Sequence, residues 1–226
     1  MKVAVVIPAY NEAERVVGVV KKTMSFADMV FVVDDGSKDG TYQVARGTGA
    51  FVLQHAINRG QGAALRTGIE AALRAGATHV VHCDADGQHD PSFIPVLLEP
   101  LKLGQADVVF GSRYMGIKSE GMPLLRAMFH RAIKVFNIVV MGIPRSMTDP
   151  QSGLRAMTAS AARKVEFFQD RMAHCSEILR IVTRSGEVRW CEVSVLVRYT
   201  SASLRKGQKI ADAFKIVWQL FVGRKL

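Results

Sequence analysis

The first half of the chain alternates short apolar runs with amphipathic segments. Five of the runs are rich in β-branched residues and lack polar alternation, which is typical of strands covered on both faces. These runs are KVAVVI (2–7), MVFVV (29–33), AFVLQ (50–54), THVVHC (78–83) and ADVVFG (106–111). The segments between them have helical periodicity, so the pattern predicts an α/β fold with a mostly parallel sheet and right-handed crossovers.

Two boundary signals refine this pattern. Asn11, followed three residues later by Glu14, resembles a capping box and predicts a helix over 12–25. Asp90 followed by Pro91 is typical of a helix N-terminus.

The pattern changes after about residue 112. Amphipathic or edge-strand patterns remain, over 124–141, 160–164, 177–183, 187–199 and 208–226. We find no linker and no internal repeat, so the whole chain, 1–226, is predicted to be a single domain with an elaborated C-terminal part.

Acidic residues follow the fourth predicted strand, in HCDADGQHD. Asp84 and Asp86 are two positions apart, so in an extended chain their side chains project to the same face. Ligands of open α/β sheets bind at the carboxyl ends of the strands, and these oxygens, together with Gln88, suit Mg²⁺ or Mn²⁺. Because Mg²⁺ usually takes one or two carboxylates plus substrate phosphates, a diphosphate would complete its shell. The alternative is that Asp86 and Gly87 form a turn and Asp90 caps a helix, with no metal.

Polar residues also follow the first two predicted strands. Asp34 or Asp35, in VVDDGSKDGT, could accept hydrogen bonds from ribose hydroxyls or a base. Tyr10 could cover a base and Glu12 could accept from one, while the glycines of NRGQGAA could approach phosphate or sugar. A turn at Asp-Gly-Ser and a helix start at Asn11 explain the same residues without a ligand.

Composition narrows the classes of binding partner that the chain can have. The formal net charge of +10 favours an anionic partner, such as nucleic acid, a phosphorylated substrate or an acidic membrane surface. Basic residues are scattered and aromatic residues make up only 8% of the chain, which argues against nucleic acid because no stacking platform is present. The three cysteines are widely spaced, so neither a disulfide framework nor a zinc site is indicated and a cytosolic protein is the simplest account. No run reaches the roughly 18 apolar residues that spanning a bilayer requires.

Six motifs in this order resemble those of the family 2 glycosyltransferases with the GT-A fold. They are PAYNE, VVDDGSKDGT, NRGQGAALRTGI, DADGQHDP, GSRY and DPQSGLRAM. Within that family the chain is most similar to dolichyl- or polyprenyl-phosphate mannose synthases and their bacterial relatives. The resemblance covers nearly the whole chain and is strongest from Val3 to Tyr114.

The resemblance implies a fold and an activity. The fold would be GT-A, a Rossmann-like, mostly parallel sheet with helices on both faces and a C-terminal extension on the acceptor side. Residues 1–112 would bind the nucleotide sugar, and 113–226 would face the acceptor and the membrane. The activity would be inverting, metal-dependent transfer of one hexose to a dolichyl or polyprenyl phosphate. GDP-mannose is the leading donor and UDP-glucose the second; a saccharide or protein hydroxyl acceptor stays open.

The resemblance also implies roles for particular residues. The nucleotide pocket would be lined by Pro8, Tyr10, Glu12, Val33 and Asp35, and the metal and diphosphate would lie at Asp84, Ala85, Asp86 and Gln88. On the phosphate and acceptor side, Arg113 would reach the donor phosphates, Arg126 the acceptor phosphate, and Asp149 and Ser152 the acceptor or sugar. We expect Asp86, Arg113 and Asp149 to be the catalytic residues.

One loop departs from the family pattern. The family has an arginine followed by glycine, serine and lysine in a loop that closes over the donor. In RYTSASLRKG, Arg198 and Ser203 fit, but Ser201 replaces the glycine and Leu204 stands where the lysine is expected. Phosphate contacts from this loop are therefore in doubt, although Arg198 is retained as a donor-binding candidate.

The acceptor decides whether a general base is needed. A phosphate is already ionised near neutral pH and needs none, whereas a sugar hydroxyl needs one, and Asp149 and Glu177 are the candidates. A nucleotidyltransferase is disfavoured because no glycine-rich signature follows the first strand.

A lipid acceptor also predicts a location. Related proteins often add transmembrane helices, so this chain is expected at the cytoplasmic face of a membrane, docked peripherally or held by a membrane-anchored partner. The basic amphipathic segments 124–141 and 208–226 are the membrane-contact candidates, unless their apolar faces pack on the core.

Overall fold

The computed structural model describes residues 1–116, 119 and 121–199, except for the side chains of 125, 126 and 129. The predicted tail helix over 208–226 and Ser203 lie outside the described residues.

A seven-stranded sheet forms the centre of the described chain. Its strands run β3-β2-β1-β4-β6-β5-β7 across the sheet. The strands are β1 Val3–Ala9, β2 Met29–Asp34, β3 Phe51–Gln54, β4 His79–His82, β5 Val108–Ser112, β6 Arg155–Thr158 and β7 Trp190–Ser194. All neighbouring pairs are parallel except those of β6, which runs antiparallel to both β4 and β5. The predicted mostly parallel sheet is confirmed.

Helices cover both faces of this sheet. They are α1 Val16–Thr23, α2 Thr41–Arg46, α3 Gln61–Arg74, α4 Ile94–Lys102, α5 Leu124–Val139, α6 Ala159–Lys164 and α7 His174–Arg184. One face packs β-branched strand residues against Val16 of α1 and Leu97 of α4. The other packs against Leu65 of α3 and Ile178 of α7. The continuous apolar runs of β1, β2, β4 and β5 therefore form strands that are buried from both sides, whereas β3 lies at the edge of the sheet and is partly exposed.

The predicted capping box at the first helix is wrong. Asn11 has a φ of 54°, a left-handed conformation that asparagine tolerates better than most residues. Its side chain accepts a hydrogen bond from the Lys38 backbone N–H at 2.9 Å, and α1 begins only at Val16. The asparagine therefore joins two loops at the sheet edge and does not cap a helix. The signal at Asp90 is confirmed, since its carboxylate accepts from the Ser92 N–H at 3.1 Å.

The antiparallel strand β6 positions the loop over the acidic residues. His82 pairs with Arg155, so the segment just before β6 crosses the end of β4. Gly153 lies so close to Asp84 that a Cβ at position 153 would collide with the carboxylate. A larger residue there would have to displace the carboxylate, and the loop before β6 is thereby in direct contact with the residues that follow β4.

Candidate active site

A cavity of about 500 Å³ opens at the carboxyl ends of the parallel strands. It is bordered by the residues that follow β1, β2 and β4, by the N-termini of α3 and α7, and by the loop before β6. Nine of the residues that the sequence singles out line it, together with the adjoining Ala9. The nine are Pro8, Tyr10, Glu12, Asp35, Asp84, Ala85, Asp86, Gln88 and Arg113. The sheet therefore gathers the predicted strand-end residues at one edge.

Asp84 and Asp86 lie side by side in this cavity with different surroundings. Asp84 is partly buried and accepts a hydrogen bond from the Gln61 side-chain amide at 2.7 Å. Asp86 accepts from the backbone N–H and the side-chain amide of Gln88, at 2.9 and 2.5 Å. Burial raises the pKa of Asp84 to about 7, and the charges of Asp86 and Cys175 act in the same direction. Bringing these two carboxylates together has a free-energy cost that a proton or a cation relieves.

The donor set fits a divalent metal ion. Carboxylate and amide oxygens are hard ligands that suit Mg²⁺ or Mn²⁺, and burial raises the pKa of Asp84 despite the opposing charge of Arg155. The amide nitrogen of Gln88 faces Asp86, so Gln88 would join a metal shell only with its oxygen turned inward. No cluster of three or more His, Cys, Asp or Glu side chains suited to a metal occurs within the residues that the structure describes. A bound ion would thus take the rest of its ligands from substrate oxygens and water.

The nucleotide side of the cavity is fully organised by hydrogen bonds. Asp35 accepts from His55 Nδ1 at 2.7 Å and from the backbone N–H groups of Arg59 and Gly60 at 3.0 and 2.6 Å. Glu12 accepts from Arg15 Nε at 2.6 Å. These contacts fix the two carboxylates in place at the rim of the pocket before any ligand binds.

Val33 is an exception among the nucleotide-side predictions. Its side chain is fully buried in the core and is not among the residues that line the cavity. It packs against Gly68 of α3, where an added Cβ would lie 3.1 Å from it. Val33 lies within β2 and packs on α3, whereas Asp35 follows the end of the strand and reaches the cavity.

Arg113 and Asp149 form one buried unit. Arg113 Nε donates to Asp149 Oδ2 at 2.6 Å, and the remaining guanidinium nitrogens donate to the Tyr199 hydroxyl and the Gln151 carbonyl at 2.6 and 3.0 Å. Burial alone would lower the pKa of Arg113, but Asp149 and Tyr199 outweigh it and raise that pKa. Arg113 lines the cavity, whereas Asp149 lies behind it and does not. The carboxylate therefore positions the arginine.

Two further predicted residues, Ser152 and Arg198, are not among the residues that line the cavity. Ser152 is buried, and its hydroxyl donates to the Leu154 carbonyl at 3.1 Å. Arg198 is exposed and donates to Asp90 Oδ2 at 3.1 Å, outside the residues that line the cavity. Arg126 belongs to α5, and its side chain lies outside the described part of the chain.

Other polar residues that line the cavity were not predicted. They are Asn58, Gln61, His82, His89, His130, Gln151, Arg155, Arg171, His174 and Cys175. His89 is 4.0 Å from Asp84, and burial, followed by the charge of Arg113, lowers the pKa of its ring to about 4. The available signals were the position of His82 directly before the acidic motif and of Arg155 directly after QSGL. Neither pattern distinguishes a cavity residue from a core residue.

Four buried side chains that line the cavity form a cluster: His82, Arg155, His174 and Cys175. Burial, followed by the charges of Arg155 and His174, lowers the pKa of His82 well below its usual value, so its ring is neutral. Burial opposes ionisation of the Cys175 thiol, but His174 and Arg155 outweigh it and lower its pKa to about 6. Cys175 Sγ lies 3.4 Å from both Arg155 Nη2 and His174 Nε2.

Comparison with known proteins identifies the family. The family model described as "Glycosyl transferase family 2" matches residues 4–165. The chain belongs to this family. The resemblance found in the sequence is thereby confirmed, and the protein is a glycosyltransferase.

Named relatives refine this placement. The family 2 glycosyltransferase is 31% identical to the UDP-N-acetylglucosamine–dolichyl-phosphate N-acetylglucosaminyltransferase of Methanococcus voltae, over 96% of this chain and 94% of that protein. It is 34% identical to the undecaprenyl-phosphate mannosyltransferase of Micrococcus luteus, over 74% of this chain and 70% of that protein.

A solved structure confirms the fold. The glucosyl-3-phosphoglycerate synthase of Mycobacterium tuberculosis matches with a TM-score of 0.76 and 20% identity, over 97% of this chain and 78% of that chain. That enzyme has been crystallised with Mn²⁺ and UDP. The GT-A fold predicted for this glycosyltransferase is therefore confirmed.

Among residues 1–116, 119 and 121–199 of the glycosyltransferase, no helix has the length and apolar character to cross a membrane.

Proposed function

We propose that this glycosyltransferase transfers a hexose from a nucleotide sugar to a dolichyl or polyprenyl phosphate, with inversion at the anomeric carbon. The observation that carries the proposal is the cavity at the strand ends. Its nucleotide side carries the fixed carboxylates of Glu12 and Asp35, and the acidic pair Asp84 and Asp86 follows next along the sheet edge. A nucleoside diphosphate sugar has the same linear order, since the base and ribose precede the diphosphate.

A lipid phosphate acceptor is supported by the state of the two candidate bases. Asp149 is bound to Arg113 at 2.6 Å, and Glu177 accepts from the backbone N–H groups of residues 168 and 169 at 3.0 and 2.8 Å. Both carboxylates therefore have structural partners, which disfavours each as the base that a hydroxyl acceptor needs. An ionised phosphate is itself the nucleophile and requires no base.

A divalent cation, Mg²⁺ or Mn²⁺, belongs to the proposal. Asp86, with Asp84 and the oxygen of Gln88, would hold it. When bound, such an ion stabilises the negative charge that develops on the leaving diphosphate. Arg113 lines the same cavity and would contact the donor phosphates, held in orientation by Asp149.

A membrane surface as partner is supported by α5. Four apolar side chains on this helix are between 58% and 79% exposed: Leu124, Met128, Val135 and Val139. At about 100° per residue they fall within about 60° of one another, and the exposed Arg131 lies on the same face. A face of this composition suits the interface of a bilayer with anionic lipids, where each Lys or Arg contributes about 1 kcal/mol. We propose that the enzyme docks through α5 at the cytoplasmic face, where Arg126 on the same helix would meet the acceptor phosphate.

The identity of the donor sugar is the most specific part of the proposal. GDP-mannose is the first donor to test, because the relative from Micrococcus luteus is named as a mannosyltransferase. UDP-N-acetylglucosamine is the second, because the relative from Methanococcus voltae is named for that donor and matches nearly the whole chain. UDP-glucose follows, since a Drosophila melanogaster relative, 27% identical, is named as a dolichyl-phosphate β-glucosyltransferase.

The experiment that tests the proposal is a transfer assay. The purified full chain is incubated with each radiolabelled nucleotide sugar, a short polyprenyl phosphate and Mg²⁺ or Mn²⁺, and the lipid fraction is counted. We expect one donor to label the lipid and chelation with EDTA to abolish the labelling. Equal labelling after complete chelation would contradict the metal. Labelling of free saccharides with none of polyprenyl phosphate would contradict the acceptor.

A further inference from the structure

The base of the cavity contains a buried polar socket that the proposed mechanism does not use. We use this name for His82 and Arg155, which face each other across the pairing of β4 with β6. His82 is 1% exposed and Arg155 is 2% exposed, yet both line the cavity. His174 and Cys175, from the start of α7, enclose the socket on its other side.

Several hydrogen-bonding atoms of this socket have no partner within the part of the chain that the structure describes. They are both ring nitrogens of His82 and the Nε and Nη1 of Arg155. The third guanidinium nitrogen, Nη2, donates to the Ser152 carbonyl at 2.8 Å and approaches Cys175 Sγ at 3.4 Å. Buried polar groups in native proteins are almost always satisfied, so a cluster of unsatisfied ones that faces a cavity indicates a ligand.

The hydrogen-bonding atoms of the socket indicate what kind of ligand it takes. Protein groups already take one nitrogen of Arg155, because its Nη2 donates to the Ser152 carbonyl and lies 3.4 Å from Cys175 Sγ. The free Nε–H and Nη1–H groups are donors, and the two ring nitrogens of His82 add further hydrogen-bonding atoms. Hydroxyl groups, which both donate and accept, match this set.

The order of the strands indicates which part of a donor reaches the socket. Across the sheet the order is β2, β1, β4 and β6. The nucleotide-side carboxylates follow β1 and β2, the acidic pair follows β4, and the socket lies between β4 and β6. A nucleotide sugar laid along this edge with its diphosphate at the acidic pair extends its sugar toward β6.

We propose that the socket of His82 and Arg155 binds hydroxyl groups of the donor's sugar and so determines which sugar the enzyme accepts. The inference rests on the proposed function, because it takes a nucleotide sugar as the donor. It assigns to the two residues a specificity role that is separate from nucleotide and metal binding.

Paired titrations test the assignment. The affinity of the full chain is measured by calorimetry in Mn²⁺ for a nucleotide sugar and for the matching nucleoside diphosphate. GDP-mannose is paired with GDP, and UDP-N-acetylglucosamine with UDP. The ratio of the two affinities reports what the sugar contributes. We expect Arg155→Met and His82→Phe to reduce the affinity for the better nucleotide sugar about tenfold or more and to leave that of the diphosphate unchanged, since each removes hydrogen bonds to the sugar alone.

One milder variant and one control protect this test against misfolding. His82→Gln keeps hydrogen-bonding groups at the site, so it should retain more of the sugar contribution than His82→Phe. Met157→Leu changes a buried apolar residue on the same strand and should alter neither affinity. Circular dichroism and thermal unfolding establish that each variant is folded, and if Arg155→Met is not, the two His82 variants decide.

The possible outcomes distinguish a failure of the socket assignment from a failure of the proposed function. Equal losses for the sugar and the diphosphate would overturn the socket, because they would mean a structural role or contact with the nucleotide. Unchanged affinities in folded variants would also overturn it, leaving a socket filled by water. A wild-type enzyme that binds no nucleotide sugar would contradict the proposed function itself, and the socket assignment with it.

Discussion

The two ends of the cavity are built differently. At the nucleotide end, Asp35 receives three hydrogen bonds from the protein itself, and Glu12 is bound by Arg15. At the opposite end, His82 and Arg155 are equally buried but keep donors and acceptors unsatisfied in the described chain. The first end is organised by the protein's own hydrogen bonds, whereas the second keeps hydrogen-bonding atoms that we propose a sugar satisfies.

Asp86 lies on the border between these two ends, and its loss should have the largest effect. Asp86→Asn keeps the shape of the side chain but removes the charge that holds a divalent ion. We expect transfer to fall by about 10²-fold or more, while the thermal unfolding midpoint stays close to that of the wild type. Steady-state transfer assays over a range of Mn²⁺ concentrations measure this. Full Mn²⁺-dependent activity in the variant would remove Asp86 from the metal site.

A substitution of Asp149 tests how far the buried Arg113 depends on its carboxylate partner. Asp149→Asn leaves the buried guanidinium of Arg113 without its counter-charge. We expect the free energy of unfolding to fall by about 3 kcal/mol, measured by urea titration. The exposed pair of Asp107 and Arg189 is the matched control, and Asp107→Asn should change stability little because solvent screens that pair. A cost for Asp149→Asn as small as that of the control would mean that Arg113 does not depend on its carboxylate.

The raised pKa of Asp84 gives a pH dependence. Its folded-state pKa is about 7, above the ordinary value of 3.8, so between these values the folded protein binds more protons than the unfolded chain. The contribution of this group to stability is therefore present at low pH and is lost as the pH rises from about 4 to about 7. We expect the wild type to lose about 1 kcal/mol per pH unit relative to Asp84→Asn in this window. Parallel urea titrations at pH 4.5, 5.5 and 6.5 provide the comparison, and a constant difference would contradict the raised pKa.

The exposed face of α5 should give the smallest effect. Val135→Asp places a charge among the apolar side chains that we propose to meet the membrane. We expect binding to vesicles of phosphatidylcholine with 30 mol% phosphatidylserine to weaken by roughly tenfold in a sedimentation assay. The exposed Val44 on α2 is the control, because Val44→Asp changes a side chain on the opposite half of the chain. Equal losses from both substitutions would exclude α5 as the docking face.

Local pattern accounts for most of the fold that was predicted correctly. All five apolar runs of the first half became strands, because continuous β-branched sequence has few other ways to be buried on both sides. β6 was not predicted, since RAMT at 155–158 is short and contains an arginine. Its place between β4 and β5 comes from long-range antiparallel pairing, which no local pattern reveals.

The site was predictable where residues follow consecutive strands. Tyr10, Asp35 and Asp86 line one cavity because parallel strands end at the same edge. The socket could not be predicted in this way, because His82 and Arg155 meet only through the register of β4 with β6. Motif position alone also does not show that the side chain of Val33 is buried against α3 and does not line the cavity.

The close contact of Gly153 with Asp84 has a consequence for substitutions at position 153. Gly153 belongs to the segment that runs from Asp149, the partner of Arg113, to β6. Only the hydrogens on its α-carbon lie between this segment and the carboxylate of Asp84. Any side chain at position 153 would have to displace this carboxylate, so a substitution of Gly153 acts directly on the acidic pair.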